Sequence, residues 1–124
     1  MTLTDRQKEF LDIVKKQKSG IFLFGNGRGG GKTILIEYMT GYFKDDDHVL
    51  LVDEIGENSE KLRRTLSEFS ESDKTLLIAS FTNLAGKKHI LNKYDWTMFL
   101  MNSSDNPYLR NDYVKDLSVY NEEH

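Results

Sequence analysis

Nine consecutive residues, Gly25-Asn26-Gly27-Arg28-Gly29-Gly30-Gly31-Lys32-Thr33, place five glycines ahead of a lysine and a hydroxyl. Successive glycines let backbone N–H groups converge on an anion in conformations that a Cβ would forbid. Lys32 then supplies a point charge for the outer phosphates of a polyphosphate, and Thr33 an oxygen for a magnesium ion. A helix opening at that point directs its unpaired N–H groups and positive dipole end to the same place. The ligand implied is a nucleoside triphosphate with magnesium.

A second group of residues suits the same ligand. The apolar run Val49-Leu50-Leu51-Val52 ends in Asp53-Glu54, and strands of an open parallel sheet present ligands at their carboxyl ends. Asp53 is then placed to hold magnesium, and Glu54 to orient and deprotonate an attacking water. Asn83 follows a third apolar run and has two readings, a sensor of the terminal phosphate or a cap on the next turn. Acidic pairs after strands are also common as plain polar termini, so the case rests on the glycine-rich run nearby.

These groups need elements to carry them. Thr4 caps a first helix with Gln7 at the capping-box position, and Phe10, Leu11, Ile13 and Val14 form its apolar stripe. Gly20 ends that helix and opens a strand through Phe24. A helix is expected over 33–43, and a second strand over 48–53 that is apolar on both faces and therefore central and parallel. A helix over 59–71 carries Leu62, Leu66 and Phe69 on one face. A third strand covers 75–81, a further helix 84–94, and a fourth strand 96–101, in which Trp96 is read as core. The fold class expected is α/β, a three-layer sandwich with a short, mostly parallel sheet of about four strands. Residues 1–101 form the domain, and 102–124 a polar, acidic tail broken by Pro107 that docks on the domain or on a partner. Arg110 in that tail is either a surface residue or an arginine reaching a neighbouring subunit's nucleotide.

Composition bounds the chemistry further. The 124 residues contain no cysteine, which removes disulfides, thiolate metal sites and cysteine nucleophiles, and the three histidines show no ligand spacing. Charged residues at 30% and hydrophobic ones at 38% are ordinary for a folded domain. No apolar run is long enough to span a membrane and no secretory leader opens the chain, so a cytoplasmic, membrane-free protein is expected. The net charge of −3 is unevenly spread, with ten acidic and three basic residues over 45–73. Basic patches at Lys15-Lys16-Gln17-Lys18 and Lys87-Lys88 are solvated faces unless folding joins them into a phosphate-binding surface.

At this point the chain resembles the P-loop NTPases, in the division with an additional strand that includes AAA+ ATPases, helicases and viral packaging motors. The resemblance covers residues 20–101. Gly31-Lys32-Thr33 matches Walker A, Val49 to Glu54 is similar to Walker B with its catalytic glutamate, and Leu77 to Asn83 is similar to the sensor-one strand. The resemblance implies a sheet in the order fourth, first, third, second. The loop resembles those of large terminases, which implies a stabilising role in cis for Arg28. Leu3 to Gln7 resembles the segment preceding Walker A in superfamily 1 helicases, which makes Gln7 a candidate adenine reader. Two departures stand out. Asn26 occupies the first position of the pattern, where glycine is usual, although Asn tolerates left-handed backbone well. Only 14 residues separate Thr33 from His48, too few for the usual extra strand, so a pared-down form of viral or mobile-element type is expected, without helicase, nuclease or lid modules.

The function expected is ATP hydrolysis with magnesium, coupled to a nucleic acid, a nucleic-acid-processing protein or other copies of the chain. Asn26, Gly27, Arg28, Gly29, Gly30, Gly31, Lys32 and Thr33 would bind the nucleotide, Thr33 and Asp53 the metal, and Glu54, Lys32, Asn83 and Arg28 would act on the reaction. The alternative is a nucleotide-dependent switch or decoy that hydrolyses nothing and binds a partner protein. A small-molecule kinase is disfavoured, since Asp53-Glu54 suits activation of water and no arginine-rich lid follows.

Overall fold

A computed structural model describes residues 3–25, 31–100 and 108–110, with the backbone alone at 31–33 and 108–110. In chain order the elements are α1 (Asp5–Lys15), β1 (Gly20–Gly25), α2 (Gly31–Tyr42), β2 (Val49–Val52), α3 (Ser59–Glu71), β3 (Leu76–Phe81), α4 (Lys88–Leu91), β4 (Trp96–Leu100) and β5 (Tyr108–Arg110). The sheet runs β2-β3-β1-β4-β5, with the first four strands parallel and β5 antiparallel to β4. The order of the parallel strands is the one expected.

Alternation along the strands builds two cores. Ile21, Leu23, Leu77, Ala79, Trp96 and Met98 face one side and pack with Leu62 and Leu66 of α3 and Ile90 and Leu91 of α4. Phe22, Phe24, Leu76, Ile78 and Phe99 face the other and pack with Phe10 and Val14 of α1 and Leu35 and Met39 of α2. Period-two side chains on buried parallel strands give this division directly. Phe10 anchors the second core, its ring 4.9 Å from Phe24 and 5.4 Å from Phe99.

The start of α1 follows its sequence signal. Gln7 N–H donates to Thr4 Oγ1 at 3.2 Å, and Thr4 N–H to Gln7 Oε1 at 2.7 Å, which satisfies two otherwise unpaired helix donors. Lys15 at the far end lies 4.6 Å from the Tyr42 ring centroid and ties α1 to α2.

Three expectations need correction. Strand β2 is parallel but sits at the sheet edge, and all four of its residues are partly exposed; an apolar run requires cover on both faces, not a neighbour on both edges. The helix expected over 84–94 shrinks to the four residues of α4, because Gly86 adopts φ +76°, which breaks a right-handed helix. Residues 108–110, expected within a tail, form β5 and extend the sheet beyond β4. Trp96, at 4% exposure, is core as expected.

Candidate functional site

Register sets the rim. Gly25 is level with Phe81, and Val52 with Ala79, so β1, β3 and β2 end side by side. Strand spacing of about 4.8 Å puts the ends of β1 and β2 roughly 10 Å apart, with β3 between them. At Gly25 the approach is so close that a Cβ would lie 2.0 Å from the Phe81 carbonyl oxygen, so only glycine fits. The backbone of Gly31, Lys32 and Thr33 forms the first turn of α2.

On the other side of β3, Asp53 and Glu54 are held by that strand. Ser80 is a hydroxyl in an otherwise apolar strand, only 1% exposed. It donates to Asp53 Oδ1 at 2.8 Å and accepts from Glu54 N–H at 2.8 Å, using its single proton and a lone pair. The Ser80 carbonyl accepts from Ile55 N–H at 2.8 Å. Thr82 completes the clasp: its N–H donates to Glu54 Oε2 at 3.2 Å and its hydroxyl to Glu54 Oε1. The chain passes through Glu54 with φ +58°, the one non-glycine residue with positive φ among the described residues. A left-handed non-glycine residue costs about 1–2 kcal/mol, and it persists where its surroundings over-determine it. Here five hydrogen bonds do so: three are donated by Ser80 and Thr82 to the Asp53 and Glu54 carboxylates, and two are accepted by Ser80 from the Glu54 and Ile55 N–H groups.

The chemistry available follows from what remains open. Asp53 is exposed, and its Oδ2 has no hydrogen-bond partner among the described residues. Among those residues no group of three or more metal-binding side chains gathers. That donor set fits magnesium in one particular mode, since Mg²⁺ is commonly bound by one or two carboxylates plus substrate phosphates and water rather than by an all-protein cage. Each oxygen of Glu54 accepts one hydrogen bond from Thr82 and keeps a further lone pair, so the carboxylate is oriented yet still able to accept a proton. Lys61, on the first turn of α3, lies 3.5 Å from the Asp53 carbonyl and 3.4 Å from Glu57.

Of the other residues singled out from the sequence, Asn26, Gly27, Arg28, Gly29 and Gly30 lie outside the described residues, as do the side chains of Lys32, Thr33 and Arg110. Gln7 is 6% exposed with its amide engaged in the α1 cap. Asn83 Oδ1 accepts from Ala85 N–H at 2.8 Å, the turn-capping geometry. Ser80 and Thr82 were not singled out, although a hydroxyl inside a buried apolar run is itself a signal, because such a group must find a partner. The two basic patches stay apart: residues 15–18 precede the start of β1, and Lys87 and Lys88 follow the end of β3, which runs parallel to it.

Compared with protein-family models, with curated proteins and with solved structures, the chain matches none. Among the described residues no helix is long and apolar enough to cross a membrane. A cavity of about 530 Å³ opens at the opposite rim, between the end of α1 and the starts of β1 and β4, lined by Lys16, Gln17, Asp95 and Trp96 among others. It is far from the Asp53–Glu54 clasp in the sheet and shares no residue with it.

Proposed function

We propose that the chain is a minimal P-loop NTPase that binds ATP with magnesium and hydrolyses it. The observation carrying this reading is Glu54, held in left-handed backbone with its carboxylate clasped by Thr82, on the rim where the glycine-rich run also begins. The parallel order β2-β3-β1-β4 supports it as well, since it matches the order implied by the sequence resemblance.

In this reading backbone N–H groups of residues 26–32 and the Lys32 ammonium bind the phosphates. Thr33 and Asp53 would hold magnesium, which neutralises charge on the transferred phosphoryl group. Ser80 keeps Asp53 Oδ1 turned inward, leaving Oδ2 for that role. Glu54 orients water and takes its proton, and Thr82 fixes the direction from which it does so. Arg28 and Asn83 are assigned to stabilising the developing charge, and Gln7 to the base only if its capping amide is released. The protein acts with a nucleic acid, a processing partner or further copies of itself.

A second reading, a nucleotide-dependent switch with little hydrolysis, draws on the same clasp: a base with both oxygens engaged is a base held at rest. One pair of measurements separates the two. Calorimetry should show ATP uptake by the wild type and by Glu54→Gln, and none by Lys32→Ala. Single-turnover phosphate release should fall by about 10²–10⁴-fold in Glu54→Gln, the usual worth of a positioned base. Equal, slow release from both proteins removes the enzyme reading, and equal uptake by Lys32→Ala removes the nucleotide reading altogether.

A further inference from the structure

A second feature of the surface plays no part in the nucleotide chemistry. Between α3 and α4 a concavity of about 210 Å³ is lined by Arg63, His89, Ile90, Lys93 and Tyr94. Three of these five are basic and none is acidic. Arg63, His89 and Lys93 are all exposed, and among the described residues none has an ion pair or a side-chain hydrogen bond. Among the described residues, four other basic side chains do have partners: Arg6 with Glu9, Lys61 with Glu57, Lys74 with the Asp47 carbonyl and Lys15 with the Tyr42 ring. What sets the notch apart is that three basic side chains line one concavity with no acid among its lining residues.

The floor of the notch is firm. Ile90 is 5% exposed and belongs with Leu62, Leu66 and Leu91 to the core beneath α3 and α4, and Tyr94 packs against that core. Size then narrows the occupant, because small-molecule sites occupy about 300–1,000 Å³. The notch is too small for a whole nucleotide and large enough for one phosphate group of a longer chain. Along the chain, the stretch 87–93 adds Lys87 and Lys88 before the first acid, Asp95, and a run of basic residues suits a polymer of phosphates better than a single free anion. Tyr94 supplies an aromatic edge among the cations, the combination on which single strands bind.

We infer that the α3–α4 notch, with Arg63, His89 and Lys93, binds a backbone phosphate of a single-stranded nucleic acid. This deepens the ATPase reading by supplying its partner surface and rests on that reading for its purpose. The binding itself needs no nucleotide, so the two can fail separately.

The test is fluorescence anisotropy of a labelled oligothymidylate, titrated with the full chain in the absence of ATP across a range of salt. Each phosphate contact to a single strand contributes about 0.7 to the slope of log K against log salt, so losing two lowers the slope by about 1.4 and the affinity roughly 25-fold at 0.1 M salt. Arg63→Ala/Lys93→Ala should show that loss while retaining the wild-type circular dichroism spectrum, since both side chains are exposed. Lys16→Ala/Lys18→Ala, at the opposite rim, should bind within about two-fold of wild type, the spread expected when no specific contact is removed. Lys32→Ala should lose ATP and keep the oligonucleotide. The inference is overturned if wild type does not bind the strand at low salt, if the notch variant binds as tightly as wild type, or if the opposite-rim or Lys32 variant loses as much. It is equally overturned if orthophosphate at constant ionic strength displaces the strand completely, which would make the notch a free-anion site.

Discussion

Ser80 has one proton to give, and the structure shows where it goes: to Asp53, while the Glu54 amide occupies a lone pair. Removing the hydroxyl leaves a backbone donor and a carboxylate oxygen without partners, and groups left unsatisfied cost about 1–3 kcal/mol. Ser80→Ala should therefore lower unfolding stability in urea by that amount, and a loss within the error of the wild-type measurement would mean that Ser80 does not hold the rim. Thr82→Val is the complementary change, because it keeps the shape and the amide and deletes only the hydroxyl. If the clasp orients a working base, ATP affinity stays unchanged and single-turnover phosphate release falls about 10–100-fold, the scale seen when a group supporting a functional side chain is lost. Faster release would instead identify Thr82 as a restraint that holds Glu54 idle. Asp53 and Glu54 were legible from sequence because an apolar run ending in acids declares its own geometry. Ser80 and Thr82 were harder to see, since their partners depend on which strand lies beside β2, and pairing across 26 to 28 residues leaves no local pattern.

At the scale of elements, the contact that assembles the rim is backbone on backbone. A Cβ at residue 25 would lie 2.0 Å from the Phe81 carbonyl oxygen, and strand backbone cannot yield as a flexible side chain would. Gly25→Ala should thus destabilise by about 2–3 kcal/mol or more, in the upper range for overpacking, read as an earlier urea midpoint with an unchanged slope. An unaltered midpoint would show that β1 and β3 are not joined this tightly at their ends. Elements defined by local chemistry were readable: the Thr4–Gln7 box starts α1, and the continuous apolar runs at 21–24 and 75–81 mark β1 and β3. Elements defined by neighbours were less so. Leu84, Ile90 and Leu91 all become buried as a helical stripe would, yet Gly86 and the Asn83 turn confine the helix to Lys88–Leu91. The three residues of β5 carry too little pattern to be seen without β4 to pair with.

At the scale of the whole molecule, the sheet separates two cores that share no side chain, and the candidate site is where segments leading into both of them come together. α2 carries Leu35 and Met39 into one core, while Ile55, directly after Glu54, enters the other. A ligand gripped by Lys32 and Thr33 on one side and Asp53 on the other would therefore link both layers, and a ligand that binds only the folded chain stabilises it by mass action. At a hundred times its dissociation constant the gain is about 2.7 kcal/mol, which for a chain of this size raises the melting temperature by roughly 10 °C. ATP with magnesium should produce that rise in a thermal melt of the wild type, growing with the logarithm of ligand concentration. Chelation of the metal should remove most of it by taking away the ion that Thr33 and Asp53 are proposed to hold. Lys32→Ala should melt at the same temperature with and without ATP, whereas Glu54→Gln should keep the rise, because its side chain is assigned to the water and not to the phosphates. A wild-type melting temperature indifferent to ATP concentration would mean that no triphosphate links the two layers, and the rim would then be a structural clasp alone.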